Sequence, residues 1–389
     1  MTSESRSASR VNRLPQSATM RVADIAARLR REGKDIISFS LGEPDFETPE
    51  NIKSAAKHAL DRGETHYTQG SGIPVLREAI ATKLKKENGL EVQSKDVLVT
   101  TGAKQAIFEA ICSLIDEGDD VLLFDPAWVS YEAIIKFSGG RPVRVPVFEH
   151  DRFIPTDFEE YVTSKTKLLI LNSPCNPTGA VYPKEVIDNI AQVAEDSAFT
   201  VLSDEVYEKI IYGGAHHSIG SLIPEQTVTI NGFSKAYAMT GWRLGYAVAP
   251  EDILSDMLKI QQHSVSNATS FVQYAGVEAL QGDQRTVSAM VEEFKGRRDV
   301  MISGLADIGI ACPCPQGAFY AFADVSQFGT SIEVAEWLLD KAQIAVTPGS
   351  AFGPNGEGFV RLSYATSRTN ITDGLTRMRE VMQERMVST

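Results

Sequence analysis

The sequence predicts an α/β fold, in which helices cover the faces of a sheet. Short apolar segments of strand length recur along the chain, for example at residues 97–101, 168–171 and 199–203, and segments with helical spacing of apolar residues alternate with them. The chain has 389 residues, of which 43% are hydrophobic and 23% charged, so it can form two domains with substantial cores. We therefore expect an α/β protein of two domains.

The first half of the chain alternates helices and strands. The predicted helices cover residues 18–31, 49–62 and 75–88, and the predicted strands cover residues 36–41, 96–101 and 120–124. Strand 96–101 runs into Gly102-Ala103-Lys104, where apolar spacing predicts that a helix begins. Backbone amides at the start of a helix favour an anion, so this turn is a candidate phosphate site, although any strand-to-helix turn needs small residues.

The second half continues the pattern towards a smaller C-terminal region. The predicted strands cover residues 168–171, 199–203, 228–230, 245–249, 319–323, 344–347 and 359–365. The predicted helices cover residues 254–262, 272–280 and 287 to about 304, where we expect Gly304 to be a hinge.

Charge and cysteine content exclude several classes of function. Lys and Arg total 38 against 51 Asp and Glu, and the net charge of −13 disfavours nucleic acid and anionic membrane surfaces as partners. No apolar segment reaches transmembrane length, and residues 1–19 lack the apolar core of a secretory signal. The four cysteines have neither disulfide nor zinc spacing, so we expect reduced thiols, no metal and a cytoplasmic protein.

Four side chains stand at positions where sheet proteins bind ligands. Lys235 lies on a tight connection between two apolar strands, where it either simply reaches the surface or needs a partner. Asp204 ends a buried strand, where it needs a positive partner or several donors unless it caps a helix. Trp128 follows another strand and can stack on a flat ring or anchor a domain surface. Arg361 interrupts an apolar strand, either as an edge residue facing water or as a clamp for a carboxylate.

These motifs resemble those of the class I aminotransferases, which are pyridoxal-phosphate enzymes of fold type I. The resemblance extends from about residue 14 to 378 and rests on Asn176-Pro177-Thr178-Gly179, on Asp204 with Tyr207, on the segment from Ser234 to Tyr246, and on Arg361. It implies a large domain with a mostly parallel seven-stranded sheet flanked by helices, plus a smaller α+β domain. We place the N-terminal arm and part of the small domain at 1–47, the large domain at 48–285 and the small domain at 286–389.

The resemblance also implies a role for each site residue. Lys235 would form the Schiff base with pyridoxal 5′-phosphate and later carry a proton, with Asp204 holding the pyridine nitrogen and Tyr207 the ring oxygen. The remaining cofactor contacts would come from Gly102, Ala103, Lys104, Trp128, Asn176, Ser234, Arg243 and, across the interface of a homodimer with shared active sites, Tyr67. The substrate contacts would come from Gly42, Lys104, Trp128, Asn176, Arg361 and Thr19.

The substrates implied are small amino acids and 2-oxo acids. Lys104, together with Thr19 in the segment 15–19, resembles the dicarboxylate-reading residues of the bacterial aspartate aminotransferase branch called Iβ. We therefore expect amino transfer from aspartate to 2-oxoglutarate by a ping-pong mechanism, with prephenate or aromatic substrates as the alternative. Lys104 could equally be a solvated lysine in the first turn of a helix. A fold type I β-lyase would share every cofactor residue, whereas a transcription regulator would need a DNA-binding module for which the chain leaves no room.

Overall fold

The computed structural model describes residues 7–14 and 18–388, except for the side chains of residues 18–21, 23 and 384–388. The helices are α1 (Ser9–Asn12), α2 (Ala18–Arg31), α3 (Glu50–Asp61), α4 (Pro74–Lys83), α5 (Ala103–Leu114), α6 (Val129–Ser138), α7 (Lys184–Ser197), α8 (Glu251–Ser264), α9 (Ser270–Gln281), α10 (Arg285–Ile308), α11 (Ser331–Lys341) and α12 (Arg368–Ser388). The strands are β1 (Ile37–Ser38), β2 (Val97–Thr100), β3 (Asp120–Asp125), β4 (Arg141–Pro146), β5 (Thr166–Asn172), β6 (Thr200–Asp204), β7 (Thr227–Gly232), β8 (Gly245–Val248), β9 (Tyr320–Asp324), β10 (Ile344–Ala345), β11 (Thr347–Pro348) and β12 (Phe359–Ser363).

The largest sheet has seven strands in the order β2-β8-β7-β6-β5-β3-β4. Strand β8 runs antiparallel to β2 and β7, and the other neighbouring pairs are parallel, which confirms the expected mostly parallel sheet. Strands β2, β3, β7 and β8 are buried along their whole length, because helices cover both faces. Strand β4 was not predicted; it lies at the sheet edge, and its sequence Arg-Pro-Val-Arg-Val-Pro lacks a continuous apolar run.

A smaller sheet of three antiparallel strands has the order β11-β12-β9. Strand β12 is its central strand, so Arg361 is not an edge residue, and that alternative is wrong. The predicted strand 36–41 shortens to the two residues of β1, which pair with β10 in parallel. The predicted strand 344–347 divides into β10 and β11, which belong to different sheets.

Helix α10 runs unbroken through Gly304, so the expected hinge at this glycine is wrong. A Cβ atom on Gly304 would lie 2.4 Å from a methyl carbon of Leu375 in α12. The glycine therefore allows two helices to pack closely rather than allowing the backbone to bend.

The carboxyl ends of the parallel strands create the site. Side chains that follow β3, β5, β6 and β7 meet at one edge of the large sheet, as is general for α/β sheets. The segment after β1 and the central strand β12 of the three-stranded sheet both approach the same edge of the large sheet. Across the described part of the chain, no helix has the length and apolarity needed to cross a membrane.

Candidate active site

A cavity of about 300 Å³ lies where the two sheets meet. It brings together most of the predicted site residues: Gly42, Ala103, Lys104, Trp128, Asn176, Asp204, Tyr207, Ser234, Lys235, Arg243 and Arg361. Gly102 lies directly behind this lining, against Arg243. Tyr67 does not line the cavity of its own chain, and 89% of it is exposed. The side chain of Thr19 lies outside the described residues.

The amine of Lys235 points into this cavity from the connection after β7. Its Nζ atom donates a hydrogen bond to the carbonyl oxygen of Gly42 at 2.7 Å and lies 5.8 Å from the centre of the Tyr207 ring. Burial, opposed by the charge of Glu43 and assisted by the nearby guanidinium of Arg361, lowers the pKa of Lys235 to about 8. A substantial neutral fraction is therefore present near neutral pH, as a nucleophile or general base requires.

Asp204 ends β6 on the floor of the cavity and is 4% exposed. Burial raises the pKa of its carboxyl to about 6, while the hydroxyl of Tyr131, which donates to Oδ2 at 2.6 Å, opposes the rise. The backbone amide of Val206 reaches Oδ1 only at 3.4 Å. No helix begins after Asp204, since residues 206–209 form a turn, so the helix-cap alternative is wrong.

Arg361 is 2% exposed and binds neutral groups. Its Nη1 donates to Oδ1 of Asn176 at 2.9 Å, and its Nη2 donates to the carbonyl oxygen of Ser40 at 2.7 Å. Its Nε has no partner, and among the described residues no carboxylate pairs with it. Because a buried cation is costly unless paired, this guanidinium is prepared for an anion from outside the protein.

A second cationic region surrounds the start of α5. Gly102 precedes the helix with a φ of 89°, and a Cβ atom there would lie 2.6 Å from Nη2 of Arg243. Arg243 donates from Nη1 to the carbonyl oxygen of Thr240 at 2.9 Å. A Cβ atom on Gly245 would lie 2.3 Å from the backbone nitrogen of Ala103, so the backbone of β8 is packed against this turn. Helix start and guanidinium together suit a phosphate group.

Trp128 lines the cavity at the start of α6. Its ring packs edge-on against the ring of Tyr131, with 5.2 Å between the ring centres. The Nζ of Lys104 lies 4.8 Å from the centre of the Trp128 ring. Burial, followed by the charge of Arg243, lowers the pKa of Lys104. The Lys104 residue as a whole remains exposed, so its amine lies at the mouth of the cavity.

Two tyrosines of the cavity were not predicted. Tyr131 follows Trp128 by three residues, so helical spacing could have placed both on one face of α6. Tyr320 shares a hydrogen bond of 2.8 Å with the hydroxyl of Tyr207, and the guanidinium of Arg361 lies 4.5 Å from its ring centre. Only the pairing of β9 with β12 brings Tyr320 next to Arg361, and the sequence gives no signal for that register.

A buried polar cluster lies outside the cavity, beyond the end of β6. Glu205, Glu208 and His216 approach one another closely enough to suggest cation ligands. However, the Nζ of Lys83 contacts Glu208, and Nδ2 of Asn88 donates to Glu205 at 3.0 Å and to Glu208 at 2.6 Å. The lysine already supplies the positive charge, so we interpret the cluster as an internal ion pair.

Comparison with known proteins agrees with this geometry. The family model for aminotransferases of class I and II matches residues 34–378. A probable aspartate/prephenate aminotransferase of Thermus aquaticus is 43% identical over 380 residues, which cover 96% of this chain and 98% of that protein. An aspartate aminotransferase of Pyrococcus horikoshii is 44% identical over 357 residues, covering 90% of this chain and 91% of its own.

The fold comparison gives the same result. The structure of Thermus thermophilus aspartate aminotransferase with maleate superposes with a TM-score of 0.94 at 42% identity, covering 98% of this chain and 100% of that one. Since the family model and both relatives cover most of the sequence, the chain belongs to the class I and II aminotransferase family.

Proposed function

We propose that the protein is a pyridoxal-phosphate-dependent aminotransferase that moves the amino group of aspartate to 2-oxoglutarate in a ping-pong reaction. The observation that carries the proposal is that Lys235, Asp204 and Arg361 line one cavity. An amine with a lowered pKa, a buried carboxylate and a buried guanidinium without an anion are the three groups that this reaction needs.

The residues of the cavity suit pyridoxal phosphate. From the part of the chain that the structure describes, the Oδ1 atom of Asp204 accepts only one long hydrogen bond, which leaves an acceptor for a protonated ring nitrogen. Trp128 offers a ring face, and Arg243 with Ser234 and the amides of residues 102–104 offers donors to a phosphate. When bound, the cofactor supplies an aldehyde that takes up the amino group and a ring that withdraws electrons from the substrate α-carbon.

Each chain residue then has a defined task. The neutral Nζ of Lys235 would take the proton from the α-carbon of the amino acid and give that same proton to the carbon atom of the bound cofactor that takes up the amino group. The Asp204 carboxylate carries the negative charge that keeps the ring nitrogen protonated. Arg361 binds the substrate α-carboxylate through two parallel N–H donors, with Asn176 holding the guanidinium in place.

We assign the second carboxylate of aspartate to Lys104, with Thr19 as a further contact. The amine of Lys104 stands at the mouth of the cavity beside Trp128, and the related Thermus thermophilus enzyme was solved with maleate, a dicarboxylate. Prephenate is the second candidate, because relatives of 43% and 42% identity carry both substrates in their names.

A panel of amino donors and 2-oxo acceptors tests the proposal on the wild-type enzyme, on Lys104→Ala and on Lys184→Ala. Lys184 is a matched control, because it is an exposed lysine in the first turn of α7. We expect Lys104→Ala to lose about 10–100-fold in kcat/KM for dicarboxylates, as for a hydrogen bond to a charged group, while alanine and aromatic donors change little.

Three outcomes would contradict parts of the proposal. An unchanged dicarboxylate preference in Lys104→Ala would remove Lys104 from substrate recognition. A higher kcat/KM for prephenate than for aspartate or 2-oxoglutarate would favour the second candidate. Pyruvate release from cysteine-type substrates without amino transfer would indicate a β-lyase.

A further inference from the structure

Asp204 has one strong hydrogen-bond donor, and that donor is a neutral group. The hydroxyl of Tyr131 lies 2.6 Å from Oδ2, whereas the only other donor to the carboxylate among the described residues, the amide of Val206, lies 3.4 Å from Oδ1. Tyr131 is 2% exposed and lines the cavity together with Asp204. We propose that Tyr131 is a positioning residue that fixes the Asp204 carboxylate and keeps it charged for the cofactor ring nitrogen.

The chemistry of a phenol explains why this residue type suits the task. A buried carboxylate needs a donor to stay ionised, but a lysine or arginine would neutralise the charge that the ring nitrogen has to meet. A tyrosine hydroxyl donates one hydrogen bond and carries no charge. Burial raises the pKa of Tyr131 well above its ordinary value, so the phenol keeps its proton.

The surroundings of Tyr131 fix the direction of this hydrogen bond. Helix α6 holds the tyrosine, and the ring of Trp128 packs against it edge-on at 5.2 Å. Asp204 is held on the backbone side, because Nδ2 of Asn172 donates to its carbonyl oxygen at 3.0 Å. With Oδ2 bound to Tyr131, Oδ1 is the oxygen left for a ligand in the cavity.

This inference rests on the proposed function, and ligand binding can separate the two. The experiment compares the dissociation constants of pyridoxal phosphate and of its analogue in which the ring nitrogen is replaced by C–H. Both are measured by titration of the cofactor-free protein. Wild type, Tyr131→Phe and Tyr364→Phe are compared. Tyr364 is a matched control, because it is a fully buried tyrosine that does not line the cavity and whose hydroxyl donates to the carbonyl oxygen of Ala318 at 3.5 Å.

We expect wild type and Tyr364→Phe to prefer pyridoxal phosphate over the analogue by the same factor. In Tyr131→Phe this preference should fall about tenfold, as for one hydrogen bond to a charged group. If Tyr131→Phe bound both ligands more weakly by the same factor, the proposal would be overturned, because this result would show that the hydroxyl only supports the structure. Failure of the wild type to bind pyridoxal phosphate would instead refute the proposed function.

A second variant keeps the test valid if Tyr131→Phe does not fold. Incorporation of 3-fluorotyrosine at position 131 retains the hydroxyl and makes it a more acidic, stronger donor. Because a stronger donor stabilises the charged form of the carboxylate further, we expect the preference for pyridoxal phosphate over the analogue to rise relative to wild type. An unchanged preference in this variant would count against the role of Tyr131.

Discussion

The carboxyl of Asp204 lies in surroundings that disfavour its charge. Burial raises its pKa to about 6, and Tyr131 offsets only part of that effect. The guanidinium of Arg361 is similarly buried without an anion. In the cofactor-free protein, each buried charge is therefore energetically unfavourable. A ligand of opposite charge would remove this unfavourable free energy, and such groups are typical of functional sites.

The raised pKa of Asp204 predicts a pH-dependent stability. Its folded pKa of about 6 exceeds the ordinary value of 3.8, so the folded protein binds this proton more tightly than the unfolded chain. The penalty is absent below the unfolded pKa, grows between the two values and is complete above about pH 6. Asp204→Asn should therefore gain up to about 3 kcal/mol over wild type as the pH rises through this range.

Urea unfolding of both cofactor-free proteins between about pH 4 and pH 8 measures this difference. Asp196→Asn serves as the control, because Asp196 is an exposed aspartate on α7. A stability difference for Asp204→Asn that stays constant over the whole pH range would contradict the assigned pKa.

Arg361 allows a kinetic prediction. Arg361→Ala should reduce kcat/KM for amino donors by about 150-fold to about 5,000-fold, because removing one partner of a buried charge pair costs about 3–5 kcal/mol. Arg361→Lys keeps the charge but cannot donate two parallel hydrogen bonds, so we expect an intermediate loss. Steady-state kinetics check both variants, and unchanged kcat/KM in Arg361→Ala would show that the carboxylate binds elsewhere.

At the scale of elements, the start of α5 depends on close packing against β8. The two backbones meet where Gly245 faces Ala103, and Arg243 lies two residues before that contact. Strand β8 and the start of α5 therefore pack as one structural unit. The geometry of the proposed phosphate site depends on the absence of a side chain at position 245, which allows the two backbones to come this close.

Gly245→Ala should disrupt this unit. Its Cβ would lie 2.3 Å from the backbone nitrogen of Ala103, and backbone atoms cannot move aside as a flexible side chain can. We expect a loss of about 1–3 kcal/mol in stability and at least tenfold weaker binding of pyridoxal phosphate. Gly241→Ala is the control, since nothing lies within 4 Å of a Cβ there. Denaturant unfolding measures the stability of each variant, and cofactor titration measures its affinity for pyridoxal phosphate. Equal effects in Gly245→Ala and Gly241→Ala would contradict the role of the contact between β8 and the start of α5.

At the scale of the whole molecule, two features remain predictions. The pairing of β1 with β10 supports our assignment of residues 1–47 to the same domain as residues 286–389. The 89% exposure of Tyr67 leaves its hydroxyl free to reach a second subunit, as a shared active site in a homodimer requires.

Mixed dimers test the shared site. If Tyr67 acts across the interface, a hybrid of one Lys235→Ala chain and one Tyr67→Ala chain contains one site with both residues intact. We expect this hybrid to bind pyridoxal phosphate at one site with wild-type affinity, whereas the Tyr67→Ala homodimer binds about 10–100-fold more weakly. Co-expression with two affinity tags isolates the hybrid. If Tyr67 acts within its own chain, no intact site forms and the hybrid binds no better than its parents.

The sequence by itself determined the alternation of strands and helices, and through its resemblance to the class I aminotransferases it also predicted the mostly parallel sheet and most of the cavity residues. It did so because apolar periodicity is local, and because motifs such as Asn176-Pro177-Thr178-Gly179 lie at strand ends that a parallel sheet brings to one edge. The tertiary structure alone decided that Gly304 packs against α12, that Arg361 lies on a central strand and that Tyr320 belongs to the cavity. These features depend on strand register, helix packing and burial, which join residues far apart in the chain and therefore leave no local pattern in the sequence.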